Sequence, residues 1–197
     1  MKTYGGRYLV SEELRELGCR AVGEDVRVHS TCVMVGLENI SFGRHVRVDA
    51  FCSLIAGDGH IVLGNRVHIA SYALLSGGGG IELADFSGLS HGVKLYTRSD
   101  DYSGKTLTNP TVPAEYLGVT EGPIRLGRHV IVGAETVVLP GCEIGDGSSV
   151  GAMSLVRSSL PGWGVYFGIP ARRLQERSRD LLEGEARLLA AERGEKT

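Results

Sequence analysis

An aliphatic residue recurs every six positions along most of the chain, usually followed by glycine or another small residue. The clearest run is LGRHVI-VGAETV-VLPGCE-IGDGSS-VGAMSL-VRSSLP, from Leu126 to Pro161. The same phase groups earlier residues into triplets: Val22, Val28, Met34, then Phe42, Val48, Leu54, then Leu63, Ile69, Leu75, then Leu83, Leu89, Leu95. Leu126, Val132, Val138 and Ile144, Val150, Val156 complete the series. Steps within a triplet are six residues, whereas steps between triplets are 8, 9, 8, 31 and 6. Every insertion therefore falls at the same point of a three-sided turn. A triangular solenoid behaves this way, because only its turns absorb extra chain without breaking the stacked sheets. The pattern predicts an all-β fold, a parallel β-helix of about six coils. Outsized loops at 35–41, 55–62, 76–82 and 96–125 should leave one edge. Phe42 and Leu83 should share one buried column, and Val48 and Leu89 another.

The position four after each aliphatic residue should also point inward, which assigns Cys32, Cys52 and Cys142 to the core as small apolar residues. Cys19 precedes the repeats. The four cysteines are far apart and form no C-x-x-C, so neither a zinc site nor a disulfide scaffold is expected. Ser11 is a candidate N-cap for a short helix, SEELRELG, ended by Gly18. After Pro170 the chain is helix-prone and strongly charged. The expected organisation is an N-terminal helical cap (1–21), a β-helix (22–161) carrying the long loop 96–125, and a closing strand with a C-terminal helix (162–197). A loop of that length inside a compact domain points to function.

Charge and composition narrow the classes. A formal net charge of −2 gives no electrostatic case for nucleic acid or an anionic membrane. No window is apolar enough to span a bilayer, and the N-terminus lacks the apolar core of a signal peptide, so a cytoplasmic location is expected. The six histidines include no closely spaced pair of the kind a zinc-dependent β-helical carbonic anhydrase needs, and no metal site is assigned.

Three stretches carry a family resemblance: VIVGAETVVLPGCEIGDGSSVGAMSLV, VYFGIPARRL and LYTRSDDYSGKTLTNPTVPAEY. With the hexapeptides, they resemble the hexapeptide-repeat acyltransferases over nearly the whole chain. Head, loop and tail together look most like the N-acetyltransferases of nucleotide-linked amino sugars, of the dTDP-4-amino-4,6-dideoxyglucose type, in O-antigen pathways. The resemblance implies a left-handed winding, a homotrimer with sites in the grooves between adjacent β-helices, acetyl-CoA as acyl donor and a small nucleotide sugar as acceptor. Hexapeptide phase alone does not show the handedness.

On that reading the small residues Gly133, Ala134, Gly151 and Ala152 let the pantetheine arm approach stacked turns. Gly168, Ile169, Pro170 and Ala171 flank the adenine end by resemblance, and Arg172 and Arg173 are candidates for the CoA phosphates. Galactoside-type relatives carry a catalytic His in the long loop, in a segment close to Y-T-x-x-H-P. Here that stretch is Tyr96-Thr97-Arg98-Ser99-Asp100-Asp101, with Asp100 at the place of the His. An amine attacks as its free base and needs less help than an alcohol, so the loss fits an amino-sugar acceptor. Asp100 and Asp101 are candidates to orient or deprotonate it. Ser71, His91, Ala134 and Ala152 share one position of successive coils, which makes His91 a second candidate base, with Ser71 and Tyr72 at the same edge toward the sugar. The alternatives are a sugar O-acetyltransferase of the galactoside or maltose type and a non-enzymatic scaffold.

Overall fold

The computed structural model describes residues 4–194. The expected cap and terminal segments extend to 1–3 and 195–197, which lie outside the described residues. The chain is a parallel β-helix with three faces. The first face stacks Ala21–Val22, Ile40–Phe42, Ile61–Leu63, Ile81–Leu83, Ile124–Leu126 and Glu143–Ile144. The second stacks Arg27–His29, Arg47–Val48, His68–Ile69, Gly88–Leu89, Ile131–Val132 and Ser149–Val150. The third stacks Val33–Val35, Ser53–Ile55, Leu74–Ser76, Lys94–Tyr96, Val137–Val138 and Leu155–Val156.

The six-residue phase is the register of these ladders. Phe42, Leu63, Leu83 and Leu126 pair in succession on the first face. Val48, Ile69, Leu89 and Val132 do so on the second, and Leu54, Leu75, Leu95 and Val138 on the third. All of these side chains are buried. Cys52 and Cys142 join the core, while Cys19 and Cys32 are half-buried. Buried polar residues of the same inward set are satisfied locally, as where the Ser154 hydroxyl donates to the Gly151 carbonyl at 2.8 Å. The large insertions all leave the corner between the third face and the first.

The helix has about seven turns rather than six, because a further turn follows Val156. Leu160 bridges to Ile144, and Gly164–Phe167 pairs with Ser149–Val150. Leu160 follows Val156 by four residues instead of six, so the hexapeptide phase no longer marks this turn.

The ends differ in detail from expectation. Tyr8–Val10 adds an antiparallel strand to the second face, and the short helix α1 spans Ser11–Glu16. Ser11 does not cap it. Its buried hydroxyl accepts the Val26 N–H at 3.0 Å, and the Glu13 carboxylate accepts the Val10 N–H instead. Arg172–Glu176 is a strand, antiparallel to Gly164–Phe167, and not the start of a helix. Pairing with an open sheet edge overrides its helical composition. Helix α2 begins only at Leu181 and runs to Glu192. It lies along the corner between first and second faces, where Glu185 binds Arg128 and His129 and Glu192 binds Arg66.

Leu75 is fully buried in the middle of its column. Leu75→Ala should lower the unfolding free energy by about 2–5 kcal/mol in urea titrations. A loss below about 1 kcal/mol would show that the column is not the core.

Candidate functional site

The corner between second and third faces turns through residues in the left-handed backbone region. They are Phe51, Tyr72, Gly92, Glu135 and Met153, with φ between 56° and 68°. Amides of this corner bond to the coil before: Gly92 to the Ser71 carbonyl at 3.0 Å, Glu135 to His91 at 2.9 Å, and Met153 to Ala134 at 2.7 Å. Ser71, His91, Ala134 and Ala152 therefore form one rung column, as their register requires. His91 is exposed, and among the described residues its imidazole has no hydrogen-bond partner. Tyr72 is exposed and stacks on Phe51, with ring centroids 5.2 Å apart.

A shallow groove of about 180 Å³ opens beside this corner, lined by His68, Ala70, Gly88, Leu89, Ser90, His91 and Ile131. Ser90 and His68 were not singled out by sequence. His68 occupies an outward position where the repeat imposes no residue type, and Ser90 fills the small-residue place after Leu89, where a serine carries no signal of its own. Toward the C-terminal end the same corner exposes Met153 and Phe167, a pair of apolar side chains missing from the sequence assignment.

The glycines of the column have a structural reason of their own. A Cβ on Gly133 would run into the Ala152 backbone, and one on Gly151 into the Phe167 ring. Close coil stacking thus demands glycine at Gly133, with or without a ligand, whereas at Gly151 the obstacle is the exposed Phe167 side chain. Gly168 has φ of 106°; its amide donates to the Ser154 hydroxyl, and its carbonyl accepts the Leu155 N–H. Ile169 is exposed, joined to Pro170 by a cis peptide, and Ala171 is buried. Arg172 and Arg173 are exposed on the strand; Arg173 pairs with Glu176 at 2.6 Å.

The long loop stands on an antiparallel stem, Arg98–Ser99 against Thr120–Glu121, locked by an Arg98–Glu121 ion pair at 2.6 Å. Asp100 is exposed and faces a second groove of about 430 Å³ with Tyr96, Arg98, Ser99, Tyr102, Val137 and Leu139. Asp101 is occupied inside the loop. Its carboxylate accepts the amides of Ser103 at 2.7 Å, Lys105 at 2.9 Å and Thr106 at 3.0 Å. Hydrogen bonding to Ser103, aided by the amides of Thr106 and Lys105, holds its pKa down at about 2. Asp101 is therefore an organiser of the loop. Within one chain His91 and Asp100 lie at opposite edges of the third face and line different grooves. Among the described residues no three potential ligands cluster in a way that could hold a metal ion.

Residues 123–158 match the family model described as bacterial transferase hexapeptide (six repeats). The chain is 38% identical over 179 residues to the dTDP-4-amino-4,6-dideoxy-D-glucose acyltransferase of Escherichia coli, covering 91% of this chain and 93% of that protein. It is 30% identical over 141 residues to the putative lipopolysaccharide biosynthesis O-acetyl transferase WbbJ of Escherichia coli, covering 71% and 69%. Among solved structures it resembles AntD, an N-acyltransferase from Bacillus cereus in complex with dTDP and 3-hydroxybutyryl-CoA. The TM-score is 0.91 and the identity 36%, over 96% of this chain and 100% of that one. Other AntD structures carry substitutions at a serine and at an aspartate ten positions further on, with CoA and dTDP or dTDP-4-amino-4,6-dideoxyglucose bound.

The Asp101 contacts give a pH test. Its folded pKa is depressed, so its bonds stabilise the loop fully above the unfolded value of about 3.9 and are lost as pH falls through about 2. The Thr106 amide shift should titrate near pH 2 by NMR and lose that step in Asp101→Ala. A midpoint near 4 would remove these bonds from the loop.

Proposed function

Because the chain belongs to the hexapeptide-repeat acyltransferases, we propose that it transfers an acetyl group from acetyl-CoA to the amino group of a dTDP-linked amino sugar. The protein is an acyltransferase. The observation that carries the acceptor is the near full-length likeness to a dTDP-4-amino-4,6-dideoxy-D-glucose acyltransferase and to AntD with dTDP and acyl-CoA bound. The likeness to an O-acetyl transferase is weaker and covers less of the chain, and the loop has no histidine to activate an alcohol. The donor chain rests on the acetyl preference expected from sequence; AntD binds a longer 3-hydroxybutyryl group.

The chemistry divides along the corner. The column of half-buried Ala134 and exposed Ala152 and Met153, with Phe167 and Ile169 beyond it, offers the acyl-CoA an apolar edge of backbone rungs. Gly133 and Gly151 keep those rungs close, and Gly168, Pro170 and Ala171 shape the turn at the end. Arg172 and Arg173 supply guanidinium groups for phosphate. Ser90 and Asp100 stand ten residues apart, the spacing of the varied serine and aspartate in AntD. We assign Asp100 to hold the acceptor amine and Ser90 to the thioester end, with Ser71, Tyr72 and His91 along the sugar's side. None of this chemistry calls for a metal.

Asp100 reaches the corner groove only if a second copy of the chain brings its loop there. The third face supplies the contact: Val33, Val35 and Ile55 are exposed and apolar on it. This favours the homotrimer, with sites between copies. Among the described residues no helix is long and apolar enough to cross a membrane. A cytoplasmic role in O-antigen or surface-polysaccharide assembly, without nucleic-acid or membrane partners, fits the substrates.

The test is thiol release from acetyl-CoA and 3-hydroxybutyryl-CoA, with dTDP-4-amino-4,6-dideoxyglucose or maltose as acceptor. The amino sugar should turn over and maltose should not; comparable kcat/KM for maltose would sink the amine assignment. Asp100→Asn should lower kcat on the order of 10²-fold with the KM for acyl-CoA little changed.

A further inference from the structure

We propose that His68, held by Asp49, is the imidazole that takes the proton from the attacking amine. The inference rests on the amine-acylation reading above and deepens it. His68 projects from the second face into the groove that Ser90 and His91 also line. Its Nε2 lies 2.9 Å from Asp49 Oδ2. An ionised carboxylate can only accept, so Nε2 carries the proton of the neutral ring, and the Nδ1 lone pair is left to accept another. Among the described residues Nδ1 has no partner.

Asp49 is itself fixed. Its Oδ1 accepts the Tyr8 hydroxyl at 2.7 Å and Arg47 Nε at 2.7 Å, and its side chain is only 15% exposed. Burial alone would raise its pKa, but the bonds from Tyr8, His68 and Arg47 hold it below the usual carboxylate range. It therefore remains an anion while the imidazole changes charge. The Arg47 guanidinium also lies over the Tyr8 ring, 5.5 Å from its centroid, and Tyr8 packs edge-on against His29. The charged and titratable groups facing His68 are thus Asp49 and the cross-strand neighbour Arg47 directly, Tyr8 through Asp49, and His91 across the groove. Among the described residues His91 has no group to set its tautomer or hold its ring. This difference selects His68, since a base acts best when a third group orients it.

The step balances without a further reagent. The amine nitrogen attacks the thioester carbonyl carbon and an N–C bond forms. The nitrogen gives its proton to His68 Nδ1. The tetrahedral intermediate collapses, the C–S bond breaks, and CoA leaves as thiolate. The imidazolium then protonates the sulfur, which restores His68 and yields an amide and CoA. Asp49 is a positioning residue here, and the added N-terminal strand, which brings Tyr8 to it, becomes part of the site.

The experiment uses the full chain with acyl-CoA and the dTDP-amino sugar. His68→Ala should lower kcat on the order of 10²-fold, leave the KM for acyl-CoA within about twofold, and recover activity when imidazole is added to the buffer. Asp49→Asn should lower kcat by a smaller factor, also without a change in KM. His45→Gln, at the corner that carries α2, should behave as wild type. The proposal is overturned if His68→Ala, folded by thermal melt, keeps kcat within about threefold of wild type, or if its loss is not recovered by imidazole. If Asp49→Asn alters KM alone, Asp49 has no part in orienting the base. A wild-type protein inactive toward every amino sugar would instead remove the reading on which the proposal stands.

Discussion

Coil-to-coil hydrogen bonding sets the terms for everything else in this molecule. Each strand satisfies its backbone groups on the strands before and after it, so Val28, Val48, Ile69 and Leu89 must stay in register. One extra residue inside a strand would turn every later inward side chain outward. Extra chain can therefore leave only at a corner, and the three corners have taken three different uses. One is covered by α2 through Arg66, Arg128 and His129. One releases all the large insertions. The third stays tight and open to solvent, and it is the corner where His91, Ala134 and Ala152 are stacked.

The tight corner suits acyl transfer for a physical reason. If a thioester lies along these stacked rungs, it is held by a rigid support, since each rung is bonded on both sides and backed by buried aliphatic side chains. Such placement is worth more than strong acid–base assistance when the nucleophile is an amine. The sparse set of polar groups in the groove (Ser90, His91 and His68 with Asp49 behind it) agrees with that demand.

Sequence made the inward half of the structure legible and left the outward half dark. Core columns such as Leu54, Leu75 and Leu95 repeat because stacking repeats, so a period of six reveals them. His68 sits on an outward position of the same strand as Ile69, where arginine, glycine and isoleucine are equally compatible with the fold. No periodicity could single it out, and its link to Asp49 and Tyr8 exists only once four strands lie side by side. Arg172–Glu176 failed for the opposite reason: its local composition favours a helix, and an open sheet edge decides otherwise. Asp101 shows a third limit. Its adjacency to Asp100 suggested a shared role, whereas its carboxylate points back into its own loop.

The loop and the corner differ in what a mutation can change. Corner residues are tied to coil spacing, as Gly133 shows: a Cβ there would collide with the backbone of the next turn. If the donor is bound by that column, its binding cannot drift without cost to the fold. The loop is independent of the ladder beyond its two-stranded stem, and Asp101 orders it through bonds to its own amides rather than through core contacts. Its sequence can therefore vary while the β-helix stands unchanged. If the acceptor is held by Asp100 and its neighbours, acceptor choice belongs to the variable part and CoA use to the fixed part. A scaffold divided in this way can serve acceptors as different as amines and alcohols while keeping a single donor.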